Sequence, residues 1–319
     1  MRLAILGATS QIAKDLVRSF AAQSNHELVL FARRPEVVTH WLTSVDLPEH
    51  YPVHDFKAFN TEDHFDAILN FVGVGNPAQA VAMGAAIFDV TLQYDELALS
   101  YVRLHPACRY IFLSSGAAYG SSFDAPVYAS SKAVTPINNL GPKDWYAVAK
   151  LHAECRHRSL MYLPIVDIRV FNYFSHTQDI SAQFLITNIA RAIYGNTVLR
   201  TSPEYIVRDF LHPTDFYQLV SRILGTPHTN EVVDCFSNAP IDKPSLLHAM
   251  QEHFGLKFTV EKLNGDINAT GVKPHYYSLN RRAANFGYSP IYTSKDGIIK
   301  EMILLQERLK ATLDPVQLT

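Results

Sequence analysis

Strand-length apolar runs recur along this chain, each followed by a segment with helical spacing of its apolar residues, and that alternation restricts the fold more than any other feature. Arg2-Leu3-Ala4-Ile5-Leu6-Gly7 comes first, ahead of an amphipathic helix through Leu16 and Phe20. Leu28-Val29-Leu30-Phe31, Asp66 to Gly73, Arg109 to Ser115 and Pro164 to Phe171 follow. Between them, the spacing predicts a helix from about Thr91 to Leu104 and another from the Tyr146 region to about Tyr162, with Asp144 as its N-cap. Strands and helices alternate six times, so the expected class is α/β, a Rossmann-type doubly wound parallel sheet. The last third is less regular, with helices expected at Ser181–Tyr194, Asp215–Leu224, Ser245–Phe254 and Lys295–Leu309 and a strand at Glu231–Phe236. It reads as a smaller C-terminal substrate lobe packed against the first. No low-complexity linker divides the two.

At 48% hydrophobic and 18% charged over 319 residues, the chain has the composition of an ordinary globular protein with a full core. Lys and Arg number 28 against 30 Asp and Glu, so no global charge directs it to nucleic acid or to an anionic membrane. The N-terminus enters a strand directly, and no apolar run reaches the length of a membrane span. A cytoplasmic location without membrane attachment is the expectation. Cys108, Cys155 and Cys235 lack the paired spacing of a zinc site and read as small buried hydrophobes, with no metal expected.

The first strand ends in a tight turn, Gly7-Ala8-Thr9-Ser10-Gln11-Ile12-Ala13. Such a strand–turn–helix lets backbone N–H groups at a helix N-terminus, here around Thr9, Ser10, Gln11 and Ile12, meet a pyrophosphate. Dinucleotide turns usually have two or three glycines at their three small positions, whereas here these are Gly7, Ser10 and Ala13; a plain βα turn is the alternative. The second run ends in Ala32-Arg33-Arg34, where an acidic residue normally accepts hydrogen bonds from the adenosine ribose of NAD. Two guanidiniums suit a 2′-phosphate instead, so NADP is the expected cofactor and NAD the alternative. Phe71 and Val72, at the end of the third run, open into a loop with Gly75, Asn76 and Pro77 on the edge that faces the cofactor. Ser114 and Ser115 end the fourth run on the same rim.

Tyr146 and Lys150 lie one helical turn apart on one face. An ammonium beside a phenol favours the phenolate, which would bring Tyr146 toward neutrality as an acid or base.

With the Gly7 turn, the Ser115 loop, Tyr146 with Lys150 and the Asn172 segment in this order, the chain resembles the extended short-chain dehydrogenase/reductases, the nucleotide-sugar epimerase, dehydratase and reductase family. The resemblance covers nearly the whole chain. Leu113-Ser114-Ser115 through Ala118-Tyr119-Gly120 is similar to the family's serine-pair segment, and Tyr146 through Lys150 to its Tyr-x-x-x-Lys. Arg169-Val170-Phe171-Asn172 looks like its Arg-x-Phe-Asn strand end, Arg208-Asp209-Phe210-Leu211-His212 like the opening of its substrate lobe, and Phe286-Gly287-Tyr288-Ser289-Pro290 like its closing turn.

The resemblance implies that Tyr146 exchanges a proton with a substrate hydroxyl or carbonyl. Lys150 would lower its pKa and bond the nicotinamide ribose, and Ser115 would hydrogen-bond the same substrate oxygen. Asn172 and Arg208 would hold the diphosphate of a nucleotide sugar, with Lys273 as a further candidate and His212 as a structural hydrogen-bonder. It also implies a homodimer packed through helices including the one with Tyr146. Residues 1–175, with sheet elements returning from about 205–240, would form the NADP-binding domain, and 176–319 mainly the substrate lobe.

Two departures bear on activity. Asn70-Phe71-Val72-Gly73 stands where the family usually has His-Leu-Ala-Ala, and Ser115-Gly116-Ala117 lacks the acid pair of the dehydratases. The expected activity is NADPH-dependent reduction of a 4-keto-6-deoxy nucleotide sugar. The alternatives are an epimerase with tightly bound cofactor and a non-catalytic NADP-binding sensor or scaffold.

Overall fold

In β1 (Arg2–Leu6), Leu3 and Ile5 point to one face of a sheet and Ala4 and Leu6 to the other, and all four are fully buried. A strand apolar on both faces must be covered on both sides, and the rest of the chain supplies the cover. The computed structural model describes residues 1–45, 47, 51–74, 77–120, 122–262 and 273–313, so Gly75 and Asn76 lie outside the described residues.

From β1 the chain passes through α1 (Gln11–Gln23), β2 (Glu27–Phe31), α2 (Pro35–Ser44), β3 (Val53–His54), β4 (Ala67–Asn70), α3 (Pro77–Met83) and α4 (Ala86–Leu104). It continues through β5 (Arg109–Ser115), α5 (Pro142–Ser159), β6 (Ile165–Val170), β7 (Asn172–Tyr173), α6 (Leu185–Tyr194), β8 (Val198–Thr201), β9 (Val207–Arg208) and β10 (Phe210–Leu211). The last part holds α7 (Pro213–Leu224), β11 (Glu231–Asp234), β12 (Ile241–Asp242), α8 (Lys243–Phe254), β13 (Lys257–Val260), β14 (His275–Tyr276) and α9 (Ser294–Leu313).

Among the described residues, seven parallel strands form the main sheet in the order β11-β6-β5-β4-β1-β2-β3. The winding reverses between β1 and β4. The crevice beyond their carboxyl ends is where ligands of such sheets bind. Leu16 and Phe20 of α1 and Leu219 and Ile223 of α7 pack with Leu3 and Ile5 on one face. Leu99 and Val102 of α4 and Ala153 of α5 pack with Ala4 and Leu6 on the other. A third core joins α6, α8 and α9 through Ile189, Met250 and Met302. β14 pairs with β9 so that Tyr276 stands opposite Arg208.

Several expected boundaries move. The helix expected from Thr91 begins at Ala86 and follows a separate α3, with Gly84 at φ +60° between them. The helix expected from Ser181 begins at Leu185. Asp144 is not the N-cap of α5: Gly141 is, Pro142 takes the first helical position, and the Asp144 carboxylate accepts the Gly141 N–H at 3.1 Å. Cys108 and Cys235 are buried as expected, but Cys155 is exposed, because it lies on the solvent side of α5.

Beneath α5, a fully buried His157 bridges Asp167 of β6 at 2.6 Å and Asp95 of α4 at 2.7 Å. Burial works against its charge, but Asp167 and Asp95 outweigh burial and hold its pKa up at about 9. The ordinary histidine value is near 6.5, so this stabilisation is complete below that pH and is lost as pH rises through about 9. The expected size is on the order of 3 kcal/mol. Urea unfolding from pH 6 to 10 should show that loss in the wild type and a flatter profile in His157→Gln; parallel profiles would contradict the assignment.

Candidate active site

The turn after β1 is set by contact between backbones. Gly7 has φ +81°, and a Cβ there would lie 2.8 Å from the Val72 nitrogen and 2.9 Å from the Phe71 carbonyl carbon. The N–H groups of Gly7 and Ala8 both donate to Phe31 O, which seats the turn between the ends of β2 and β4. Ser10 caps α1 at φ −62°, an unstrained value, and its side chain bonds no helix N–H. Ala13 is fully buried, which suits close packing of helix on strand. The first-turn N–H groups of α1 therefore point along the helix axis toward the crevice, with Thr9 exposed beside them. Gln11 is the exception in this set: its side-chain amide donates to Ser175 Oγ at 2.8 Å, tying the turn to the segment after β7. Ile12 is half-buried behind it.

Arg33 and Arg34 follow β2 and are both exposed, Arg34 as the residue before α2. Phe71 is buried at the end of β4, and the Val72 N–H is held by Asn70 Oδ1 at 2.9 Å.

Strand alternation separates the two serines of β5. Ser114 turns away and donates to Glu154 at 2.5 Å, whereas Ser115 faces the crevice and accepts the Ala117 N–H at 3.1 Å. Tyr146 and Lys150 come to the same place on one face of α5. Burial pushes the Tyr146 phenol above its ordinary value, and a hydrogen bond from Ser115 opposes the rise. This corrects the expectation that Lys150 would be the group lowering Tyr146. The ammonium is engaged elsewhere, donating to Leu113 O at 2.7 Å and sitting 4.4 Å above the Phe112 ring. Burial brings Lys150 down to about 8, with Glu154 on the next turn as the strongest opposing charge.

Asn172 of β7 donates to Asp209 O at 3.3 Å, so its amide nitrogen ties β7 to the segment between β9 and β10. Arg208 is buried and donates from Nη1 to Val207 O and Lys273 O, while its Nη2 has no hydrogen-bond partner among the described residues. Burial lowers Arg208 to about 10. Lys273 lies 4.8 Å above the Tyr276 ring, and burial followed by the Arg208 charge lowers it to about 8. Two buried cations close together, one of them lowered by the charge of the other, fit a dianionic group. His212 caps α7 by accepting the Thr214 N–H and stands 3.0 Å from Glu301.

Sequence reasoning did not find Tyr276, whose hydroxyl lies 3.4 Å from Ser115 Oγ, or Glu154, which pairs with Arg169. The Glu154 signal was available, one turn beyond Lys150. Tyr276 had none, since nothing in His275-Tyr276-Tyr277 tells which ring turns inward.

The sequence profile of the NAD dependent epimerase/dehydratase family matches residues 3–235, and the chain belongs to that family, within the extended short-chain dehydrogenase/reductases. No curated protein sequence matches it significantly. Among solved structures it is similar to a UDP-glucuronic acid 4-epimerase from Bacillus cereus in complex with UDP-glucuronic acid and NAD, at 15% identity and TM-score 0.78, covering 97% of this chain and 100% of that one. A UDP-glucose-4-epimerase from Stenotrophomonas maltophila with bound NAD and formylated UDP-arabinopyranose gives 16%, 0.79, 98% and 99%. A dTDP-glucose 4,6-dehydratase from Bacillus anthracis in complex with NAD gives 15%, 0.76, 97% and 98%. At such identities the likeness is one of fold.

A dinucleotide held through the Lys150 ammonium should bind more weakly as pH rises through about 8. Titrations from pH 6.5 to 9.5 should show this in the wild type, with Lys150→Met weaker throughout and flat. A flat wild-type profile would contradict it.

Proposed function

We propose that this protein is an NADP(H)-dependent oxidoreductase acting on a nucleotide-linked sugar, and that its reaction is reduction of a 4-keto group on a 6-deoxy sugar. The observation that carries this reading is the convergence of Ser115, Tyr146 and Lys150 at the carboxyl edge of the sheet, beside the Gly7 turn. When bound, the nicotinamide supplies the hydride that adds to the carbonyl carbon. Tyr146 donates its proton to the carbonyl oxygen as charge develops there, and Ser115 donates a hydrogen bond to the same oxygen. A phenol held above its ordinary value is protonated at neutral pH, which is the form reduction needs. Arg208 and Lys273 are the groups for the diphosphate, with Asn172 at the rim.

Arg33 and Arg34, exposed after β2, support NADP through contacts to a 2′-phosphate. Thr9, Ser10, Gln11 and Ile12 would receive the pyrophosphate through their backbone, and Phe71 and Val72 would line the crevice. The reading includes a dinucleotide-binding domain over 1–175 with returning elements at about 205–240, a substrate lobe mainly over 176–319, a homodimer and a cytoplasmic location. A second reading, an epimerase that retains NAD, is favoured by the NAD bound in the similar epimerase structures.

Titration with NADPH and NADH separates these readings. The reductase should bind NADPH more tightly, and Arg33→Ala or Arg34→Ala should each weaken NADPH by about tenfold while leaving NADH unchanged. Copurified, tightly held NAD would favour the epimerase instead. Tyr146→Phe should lower turnover by at least about 10²-fold with cofactor affinity nearly unchanged. Retained turnover would overturn the catalytic reading, and a protein that binds NADP but turns over no sugar would be a sensor.

A further inference from the structure

Ser115 Oγ is a junction. It accepts the Ala117 N–H at 3.1 Å, lies 3.4 Å from the Tyr276 hydroxyl and is near enough to the Tyr146 phenol to offset part of that phenol's rise. A serine hydroxyl has two acceptor positions and a single proton. We propose that Tyr276 is a positioning residue, whose hydroxyl donates to Ser115 and so directs the one Ser115 proton toward Tyr146 and the substrate oxygen.

The inventory of donors supports this direction. With the Ala117 N–H on one lone pair of Ser115 and the Tyr276 O–H on the other, the Ser115 proton has only the crevice to point into. Burial holds the Tyr276 phenol well above its ordinary value, so it remains a donor throughout the range in which Tyr146 works. Tyr276 is also held independently of its hydroxyl. Phe123 packs edge-on at 4.7 Å and Phe171 at 5.2 Å, Lys273 lies over the ring, and Arg208 stands opposite on β9 with its guanidinium 5.9 Å from the ring centre. The charged and titratable groups facing Tyr276 are therefore Arg208 from β9, Lys273 from the segment before β14 and Tyr146 from α5, with Ser115 and the Ala117 amide at the end of β5. A run of hydroxyls polarised in one direction, from Tyr276 to Ser115, strengthens the one hydrogen bond that Ser115 donates, to the Tyr146 phenolate in the free protein and to the substrate oxygen in the complex. This assignment rests on Tyr146 being the acid of the reaction.

The direction of the run can be read without substrate. Titration of Tyr146 is followed by NMR of protein labelled with ¹³C at the tyrosine Cζ, the signal being assigned by its loss in Tyr146→Phe. Tyr276→Phe keeps the ring and removes the donor, and should raise the Tyr146 midpoint by about half to one unit. If Ser115 instead donated to Tyr276, the same variant would free the Ser115 proton and the midpoint would fall. A fall or no change overturns the proposal. In a Ser115→Ala background, Tyr276→Phe should leave the midpoint where Ser115→Ala alone puts it; a further shift would show that Tyr276 does not act through Ser115. Ser115→Ala alone, with Tyr276 intact, should raise the midpoint, and this arm holds even where Tyr276→Phe fails to fold. In turnover, Tyr276→Phe should lower kcat about tenfold with KM within about twofold. Loss of the catalytic reading would appear separately, as retained turnover in Tyr146→Phe.

Discussion

The placement of helix α5 on the sheet is the constraint on which the site depends, and polar side chains make that placement. Lys150, Glu154 and His157 are buried on successive turns of one helix face, where apolar residues would ordinarily lie. Lys150 reaches the Leu113 carbonyl, Glu154 takes Ser114 and Arg169, and His157 spans Asp95 and Asp167. The apolar residues buried beside them on α5 are small, Ala149 and Ala153. Buried ion pairs of this kind add little net stability compared with an apolar seam, because desolvation offsets much of the attraction. Their geometry is less forgiving than apolar contact. They hold α5 in one register against β5 and β6, and that register puts Tyr146 one turn beyond Lys150 and beside Ser115.

The same burial separates the two titrating groups. Water-poor surroundings favour neutral forms, so the phenol moves up and the ammonium moves down to about 8. The pair is thus arranged as a protonated acid beside a cation that keeps its charge at neutral pH. Burial also lowers Arg208, and burial together with the Arg208 charge lowers Lys273; Nη2 of Arg208 has no hydrogen-bond partner among the described residues. One group of side chains offers a buried phenol and ammonium, and the other two buried cations. A substrate with a reactive oxygen at one end and an anionic group at the other matches both.

Much of this was legible before any coordinates. The sheet could be read because apolar runs such as Leu28 to Phe31 are covered on both faces, and the Tyr146–Lys150 spacing because helical geometry alone brings i and i+4 together. What could not be read depended on partners distant in sequence. Lys150 was expected to act on the phenol it neighbours, but its ammonium donates a hydrogen bond to the Leu113 carbonyl, 37 residues away. Asp144 has the residue type of a cap, but with Pro142 at the first helical position the cap is Gly141, three residues earlier, and Asp144 takes the reciprocal role. The helix expected from Thr91 starts at Ala86, where the N-cap, Ala85, has no capping side chain to mark it. Tyr276 enters the site only through the pairing of β14 with β9, a contact between segments more than sixty residues apart.

The most direct measurement of the central claim is isotope transfer in a single turnover. Protein mixed with NADPH deuterated at the nicotinamide C4 position and a 4-keto-6-deoxy nucleotide sugar should yield a sugar with deuterium at C4, located by NMR, with one cofactor oxidised per product formed. Substrate recovered unchanged, or a sugar isomerised with no net oxidation of cofactor and no deuterium incorporated, would contradict it.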